Sequence, residues 1–198
     1  MISHKYKFIF LHIPKCAGSS LNQVFLQYGD DPEFNFSHPT FQQYCDKHKQ
    51  SIDYTKIISI RNPWDRLVST FYYLKDGGNG YFYDIELKKI FNIYETNFKD
   101  WVVHFLKKAL ELDLRINHFK PISFYISKKD IDCVIRTESI QEDFNIVCDK
   151  IGIPRQELIN INKSKHKHYS EYYDDETRAI VAELYAKDIE YFGYKFGE

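Results

Sequence analysis

Two spacings of apolar residues alternate along the chain, and they predict its secondary structure. Residues 6–13 and 56–61 are nearly continuous apolar runs, which is typical of strands buried on both faces of a sheet. Other stretches carry apolar residues at the i, i+3, i+4, i+7 spacing of an amphipathic helix. This spacing predicts helices around residues 21–28, 64–71, 98–109, 140–151 and 174–191, and residues 40–50 also look helical.

Local signals mark where these elements begin and end. Asn62 and Pro63 follow the second strand as an N-cap and a proline at the first helical position. Ser139 and Glu142 have the spacing of a capping box. Glycines at 29, 152 and 193 stand where helices are expected to end. Residues 123–126 and 133–136 are short strand candidates, and residues 75–80 (KDGGNG) form the expected hinge or mobile lid.

Strands that alternate with helices predict an α/β domain with a mostly parallel sheet. A chain of 198 residues is long enough for one well-buried domain and short for two, so we expect a single domain over residues 1–198. Ligands bind such sheets at the carboxyl ends of the strands. Residues 14–20 and 61–63 each follow a buried strand, and we expect them on the same rim if the two strands are neighbours.

Composition limits the classes of partner. An apolar content of 43% indicates a globular core. The 27 basic and 28 acidic residues give a net charge of −1, which argues against nucleic acid and other general polyanions as partners. Any anion site must therefore be local.

The cysteine pattern and the hydropathy predict a location. The four cysteines are scattered without a C-x-x-C pair, and Cys133 and Cys148 lie in apolar surroundings that suit small buried hydrophobes. This pattern is typical of a reducing compartment. The apolar run near the N-terminus is far shorter than a signal peptide or a membrane span. We expect a cytoplasmic protein without an integral membrane segment.

The loop PKCAGSS at residues 14–20 has the composition of an anion site at a helix N-terminus. Gly18 permits close approach of the backbone, Ser19 and Ser20 add hydroxyl donors, and Lys15 adds a positive charge. A Walker A loop has its lysine after the glycine, whereas here it comes before. The next strand ends in Arg61 instead of a metal-binding aspartate. The loop therefore suits phosphate or sulfate oxygens without a metal; the alternative is an ordinary N-capped helix after a core strand.

Arg61 and Ser69 are a second candidate pair. A guanidinium at a strand end can bind an anion through two hydrogen bonds. Ser69 lies about 140° around the predicted helix from Trp64, so it is off the apolar stripe and can face a ligand. The alternative is a surface salt bridge beside an exposed serine.

Together, these stretches resemble a known family. IPKCAGSS at 13–20 resembles the 5′-phosphosulfate loop of sulfotransferases that use 3′-phosphoadenosine 5′-phosphosulfate (PAPS). ISIRNPWDRLVSTFYYL at 58–74 resembles their 3′-phosphate segment. RTESIQEDF at 136–144, the Asn162–Ser164 element and the C-terminal segment 169–196 extend the resemblance. Within this family the chain resembles the carbohydrate sulfotransferases, as a bacterial-like soluble member. The resemblance implies a P-loop NTPase-like three-layer fold with a mostly parallel central sheet flanked by helices.

The resemblance also implies site residues. The phosphosulfate would be held by Lys15, Ala17, Gly18, Ser19 and Ser20. Arg61 and Ser69 would hold the 3′-phosphate, and Lys163 and Ser164 would close over the nucleotide. Golgi members carry a membrane anchor and lumenal cysteines, and we expect neither here. The segment His118-Phe-Lys-Pro121 matches a family element that usually continues with glutamine, but Ile122 follows here.

Sulfuryl transfer needs a base for the acceptor hydroxyl and a cation for the leaving oxygen. The position of Lys15 suits the second role. For the base we predict His38, which lies between the two binding motifs as the catalytic histidine does in glycan-modifying members; Glu33 and His118 are the alternatives. His12 is interpreted as structural, and His166 and His168 are expected to be solvated.

These observations predict a PAPS-dependent sulfotransferase that modifies a hydroxyl group of a sugar or glycan by in-line displacement, releasing 3′-phosphoadenosine 5′-phosphate without a metal. One alternative is a nucleotide or small-molecule kinase on the related P-loop fold. Another is a nucleotide-binding module that has lost catalysis. Residues 30–50 and 76–95 are the expected walls of the acceptor cleft.

Overall fold

The computed structural model describes residues 1–30, 38–78, 80, 82–111, 118–159 and 167–198. Within these ranges, four strands form one sheet in the order β1 (Ile2–Ser3), β2 (Phe8–Leu11), β3 (Thr55–Ile60) and β4 (Cys133–Arg136). Strands β2, β3 and β4 are parallel, and β1 pairs antiparallel with β2. The predicted α/β class with a mostly parallel sheet flanked by helices is confirmed. The two-residue strand β1 was not predicted.

Helices alternate with the strands, and two of them, at 82–90 and 122–125, were not predicted from the sequence. The helices are α1 (Gly18–Phe25), α2 (Phe41–Lys47), α3 (Pro63–Lys75), α4 (Phe82–Ile90), α5 (Phe98–Glu111), α6 (Ile122–Tyr125), α7 (Ile140–Ile151), α8 (Asp175–Leu184) and α9 (Ala186–Phe192). Single 3₁₀ turns occur at Lys49–Ser51, Lys128–Asp130, Thr137–Ser139 and Tyr169–Tyr172. In the described ranges, none of the helices is both long and apolar enough to span a bilayer.

The chain divides into two compact units. The first comprises Met1–Arg61 and Ile122–Lys163, and contains the sheet with α1, α2, α6 and α7. The second comprises Asn62–Pro121 and Ser164–Glu198, and contains α3, α4, α5, α8 and α9. A single domain over residues 1–198 stays a prediction.

The core of the first unit fixes the loop between β2 and α1. Alternate residues of β2, Phe8 and Phe10, point to one face of the sheet and pack against Phe25 of α1. Phe25 in turn packs against Phe144 of α7. Burial of each such ring contributes about 1.5–3 kcal/mol. Because both β2 and α1 are anchored in this core, the connecting residues are held at the carboxyl edge of the sheet.

The core of the second unit is rich in aromatic residues from α3 and α5, including Phe71 and Trp101. Helix α3 begins as predicted, because the Oδ1 of Asn62 accepts from the amide of Trp64 at 3.1 Å and Pro63 occupies the first helical position. The Nδ2 of Asn62 also donates to the carbonyl of Lys195 at 3.0 Å. This buried side chain therefore joins the start of α3 to a residue far along the chain.

Two predictions of local structure are wrong. Residues 123–126 are not a strand: residues 123–125 belong to helix α6, and residue 126 follows its end. The capping box at Ser139 and Glu142 is not formed; instead, the Oγ of Ser139 donates to the Oδ2 of Asp143 at 2.9 Å. That carboxylate oxygen also accepts from the amide of Arg136. The hydroxyl of Ser139 is therefore bonded to a side chain in the first turn of α7 and does not cap the backbone of that turn.

Two helix ends also differ from the prediction. Gly29 does not terminate α1, which ends at Phe25; a Cβ at Gly29 would lie 2.6 Å from the Sδ of Met1, so close packing explains this glycine. The last predicted helix is interrupted at Tyr185 and continues as α9. The predicted helix ends at Gly152 and Gly193 are confirmed, both with left-handed backbones.

The four cysteines all lie in the described ranges and form no disulfide bond. Cys133 and Cys148 are buried, as predicted. Burial raises the pKa of the Cys148 thiol to about 11, and it raises the pKa of Cys133 as well. Both side chains therefore act as small apolar residues at neutral pH.

Candidate active site

The loop between β2 and α1 has the backbone geometry of an anion-binding nest. Lys15 and Ala17 have left-handed backbones with φ of 65° and 57°, and Cys16 between them does not. Such an alternation is typical of nests whose N–H groups bind an anion. The amide of Cys16 donates to the carbonyl of Ile13 at 3.4 Å. Holding a residue other than glycine in this region costs on the order of 1–3 kcal/mol, and such strain clusters at ligand sites.

The first turn of α1 differs from an ordinary capped helix. Ala17 occupies the N-cap position, and among the described side chains none caps this turn. By contrast, Thr40 and Asp174 form complete capping boxes at α2 and α8. The side-chain cap expected of an ordinary N-capped helix is therefore not formed, and the anion site stays a prediction. The N-terminal dipole of α1 adds positive potential at the same place.

The side chains of the loop differ in access to solvent. Lys15 is half-buried, Ser19 is exposed and Ser20 is buried. The amide of Ser20 donates to the carbonyl of Ala17 at 3.1 Å, which tightens the start of the helix. The hydroxyl of Ser19 is thus the more accessible of the two predicted hydroxyl donors.

Arg61 reaches the same loop from the end of β3. Its Nη1 lies 3.4 Å from the carbonyl oxygen of Lys15. Because β2 and β3 are neighbouring parallel strands, the prediction that residues 14–20 and Arg61 share one rim is confirmed. The structure thus places a second cationic group beside the nest.

Ser69 belongs to the second unit, on α3, and is 1% exposed. The alternative of an exposed surface serine is therefore wrong. Its binding of a 3′-phosphate together with Arg61 stays a prediction. The same holds for Lys163 and Ser164, which lie outside the described residues, as do Glu33 and His166.

His38 is held by a hydrogen bond that determines its tautomer. Its Nδ1 lies 2.8 Å from the carbonyl oxygen of His12, and a carbonyl can only accept, so Nδ1 carries the proton. In the neutral ring Nε2 is then the unprotonated nitrogen, as a general base requires. His38 is half-buried and has a left-handed backbone with φ of 48°.

His12, interpreted from the sequence as a structural residue, contacts both the candidate base and the start of α1. Its ring packs edge-on against that of His38, with centroids 4.5 Å apart, and it lies against Gly18 at the start of α1. Its Nδ1 is 3.2 Å from the Nδ2 of Asn22. The sequence signal for this role was the single histidine in the apolar run 6–13. Asn22 carried no comparable signal.

The alternative base His118 lies in the second unit and is 7% exposed. Its Nδ1 is 3.9 Å from the Oδ1 of Asp84, whose Oδ2 accepts from the hydroxyl of Tyr73 at 2.7 Å. Arg66 donates to the carbonyl of His118 at 3.2 Å. This buried polar cluster holds α3 against α4. His168 is exposed, as predicted.

Comparison with known proteins identifies the family. A model described as "Sulfotransferase family" matches residues 1–195. The chain belongs to the sulfotransferase family. The resemblance inferred from the two motifs is thereby confirmed.

The chain is also similar to a curated protein, human Carbohydrate sulfotransferase 9. The two are 24% identical over 218 aligned residues, which cover 95% of the chain and 47% of the human protein. The chain thus spans about half the length of this relative. No solved structure matches it significantly.

Proposed function

We propose that the chain transfers a sulfuryl group from PAPS to a hydroxyl group of a sugar or glycan. The observation that carries this proposal is the nest between β2 and α1, with Lys15 and Arg61 beside it, in a member of the sulfotransferase family. The carbohydrate acceptor is supported by the motif resemblance and by the name of the human relative.

The loop fits the phosphosulfate group of PAPS. The left-handed backbones of Lys15 and Ala17 direct N–H groups toward an anion, Gly18 begins the helix, and the hydroxyl of Ser19 is exposed. We assign Lys15, Ala17, Gly18, Ser19 and Ser20 to this group. Arg61 and Ser69 are assigned to the 3′-phosphate, and Lys163 and Ser164 to closure over the nucleotide, on the resemblance alone.

In the proposed reaction PAPS supplies the sulfuryl group and a 5′-phosphate leaving group. The Nε2 of His38 accepts the proton of the acceptor hydroxyl, whose oxygen bonds to sulfur as the bond from sulfur to the bridging oxygen breaks in line. The ammonium group of Lys15 stabilises the negative charge that develops on that bridging oxygen. The imidazolium of His38 then releases its proton to solvent.

Two assays test the proposal. One measures binding of 3′-phosphoadenosine 5′-phosphate, the product, by calorimetry in the presence of a chelator. The other measures label transfer from PAPS to a panel of oligosaccharides and small alcohols. Metal-free binding with transfer to a sugar supports the proposal. Magnesium-dependent ATP binding with phosphoryl transfer would favour a kinase, and product binding without any transfer would favour an inactive module.

A further inference from the structure

The ring of His12 lies directly against the first residue of α1. A Cβ placed on Gly18 would be 1.8 Å from the Cδ2 and 1.9 Å from the Nε2 of His12. The Cδ2–Nε2 edge of the imidazole therefore occupies the space beside the Gly18 Cα, at the helix end where the nest and the dipole attract an anion. His12 is half-buried.

Asn22 sets the protonation of this ring. Its amide Nδ2 lies 3.2 Å from the Nδ1 of His12, and the Asn22 side chain is 5% exposed. An amide nitrogen only donates, so Nδ1 accepts and the ring proton of the neutral imidazole is on Nε2. Asn22 lies four residues after Gly18 on α1, and positions four apart share a helix face. The proton is thus on the edge of the ring that abuts Gly18.

We propose that His12, oriented by Asn22, is an uncharged hydrogen-bond donor to the anionic 5′ group of the nucleotide bound at the N-terminus of α1. The inference rests on the proposed function and adds a binding residue to that site. Its geometric basis is the contact of the Nε2 edge with Gly18 and the orienting contact with Asn22. Lys15 supplies positive charge at the 5′ group, whereas His12 supplies a hydrogen bond with a fixed direction.

The same residue also contacts the candidate base. The carbonyl of His12 accepts from the Nδ1 of His38 at 2.8 Å, and the two rings pack together. His12 therefore joins the anion site to the candidate base through two different groups, its ring and its backbone. A side-chain substitution removes the first connection and leaves the carbonyl in place.

The test compares two nucleotides that differ only in the 5′ group. Binding of 3′-phosphoadenosine 5′-phosphate and of adenosine 3′-phosphate is measured by calorimetry without metal for the wild type, His12→Phe, His12→Gln and Asn22→Leu. We expect His12→Phe to weaken binding of the first nucleotide about ten- to hundredfold, as for loss of a hydrogen bond to a charged group, and to leave binding of the second unchanged. His12→Gln, which keeps a donor, should recover part of the loss.

Asn22→Leu should reduce binding of the same nucleotide, because the ring is then free to change tautomer. Gln23→Leu, an exposed position on the same helix, is the matched control and should bind like the wild type. Unchanged affinity in His12→Phe, or an equal loss for both nucleotides, would overturn the inference and leave the proposed function standing. A wild type that binds neither nucleotide would overturn the proposed function and this inference with it. If His12→Phe does not fold, as judged by thermal unfolding, His12→Gln and Asn22→Leu decide the question by the same comparison.

Discussion

The Nδ1 of His38 and the carbonyl oxygen of His12 lie 2.8 Å apart, so the backbone at the end of β2 determines which nitrogen of His38 is basic. The residues that follow His12 form the nest at the start of α1. One short segment of the first unit therefore both orients the candidate base and forms the anion site.

Replacing His38 with alanine should abolish transfer and leave nucleotide binding nearly intact. Loss of a general base lowers the rate by about 10²- to 10⁴-fold, whereas the nest does not depend on the imidazole. Label transfer from PAPS and calorimetry with the product measure the two effects. His168→Ala, an exposed histidine in the second unit, is the control and should be fully active. Normal turnover in His38→Ala would remove His38 from the mechanism.

Lys15→Ala should reduce both affinity for the product nucleotide and turnover. The ammonium group interacts with the bound phosphate and also with the charge that develops on the leaving oxygen, so the rate should fall further than the affinity, by about 10²-fold or more. The exposed Lys129 provides a matched control, because Lys129→Ala removes the same charge away from the loop. A normal rate in Lys15→Ala would disprove its assigned role.

Gly18→Ala should destabilise the protein because the new methyl group overlaps the His12 ring. Overpacking of this kind costs about 1–3 kcal/mol in the free energy of unfolding, measured by urea denaturation. Removing the ring should relieve the clash. The Gly18→Ala, His12→Ala double variant should therefore lose less unfolding free energy than the sum of the losses in the two single variants. Simple additivity would show that the contact is not tight in solution.

Asn62→Ala should lower the free energy of unfolding by about 1–3 kcal/mol. The substitution removes the N-cap of α3 and leaves the carbonyl of Lys195 without the donor that Asn62 supplies. Ser139→Ala is the matched control, because Ser139 stands at the N-cap position of α7 without capping it. This substitution should lower the free energy of unfolding by less. Equal losses in urea denaturation would contradict the capping role of Asn62.

The buried thiol of Cys148 should make stability fall at alkaline pH. Its pKa is raised from 9.0 to about 11 in the folded protein, so the unfolded chain releases this proton first. The resulting contribution to stability is fully present below about pH 9 and is lost as the pH rises toward 11. The difference in unfolding free energy between wild type and Cys148→Ala should therefore shrink over this range. A constant difference would contradict the raised pKa.

Elements with a long and unambiguous apolar pattern were predictable from the sequence. The strand that ends before Arg61 and helix α5 appear where their spacing placed them, because hydrophobic periodicity reports burial directly. The four-residue run at 123–126 was too short to distinguish a strand from helix α6. The two-residue strand β1 has no period to detect.

Candidate site residues could be predicted where the residue type itself suggests anion binding, as for Lys15 and Gly18. Residues whose role depends on a contact in the folded structure were harder to predict. The capping box at Ser139 failed because the carboxylate of Asp143 competes for the hydroxyl, which spacing alone does not reveal. The contact of His12 with Gly18 joins residues on either side of a tight loop, and only the fold of that loop brings them together.

The space beside Gly18 is already filled by an imidazole, and this limits how the loop can evolve. As long as residue 12 is histidine, residue 18 has to remain glycine, so the glycine is fixed by a neighbouring ring as much as by the ligand. Among related chains, a larger residue at 18 should appear together with a smaller one at 12. A substitution at one of the two positions without a substitution at the other would indicate that the backbone of the loop has a different conformation.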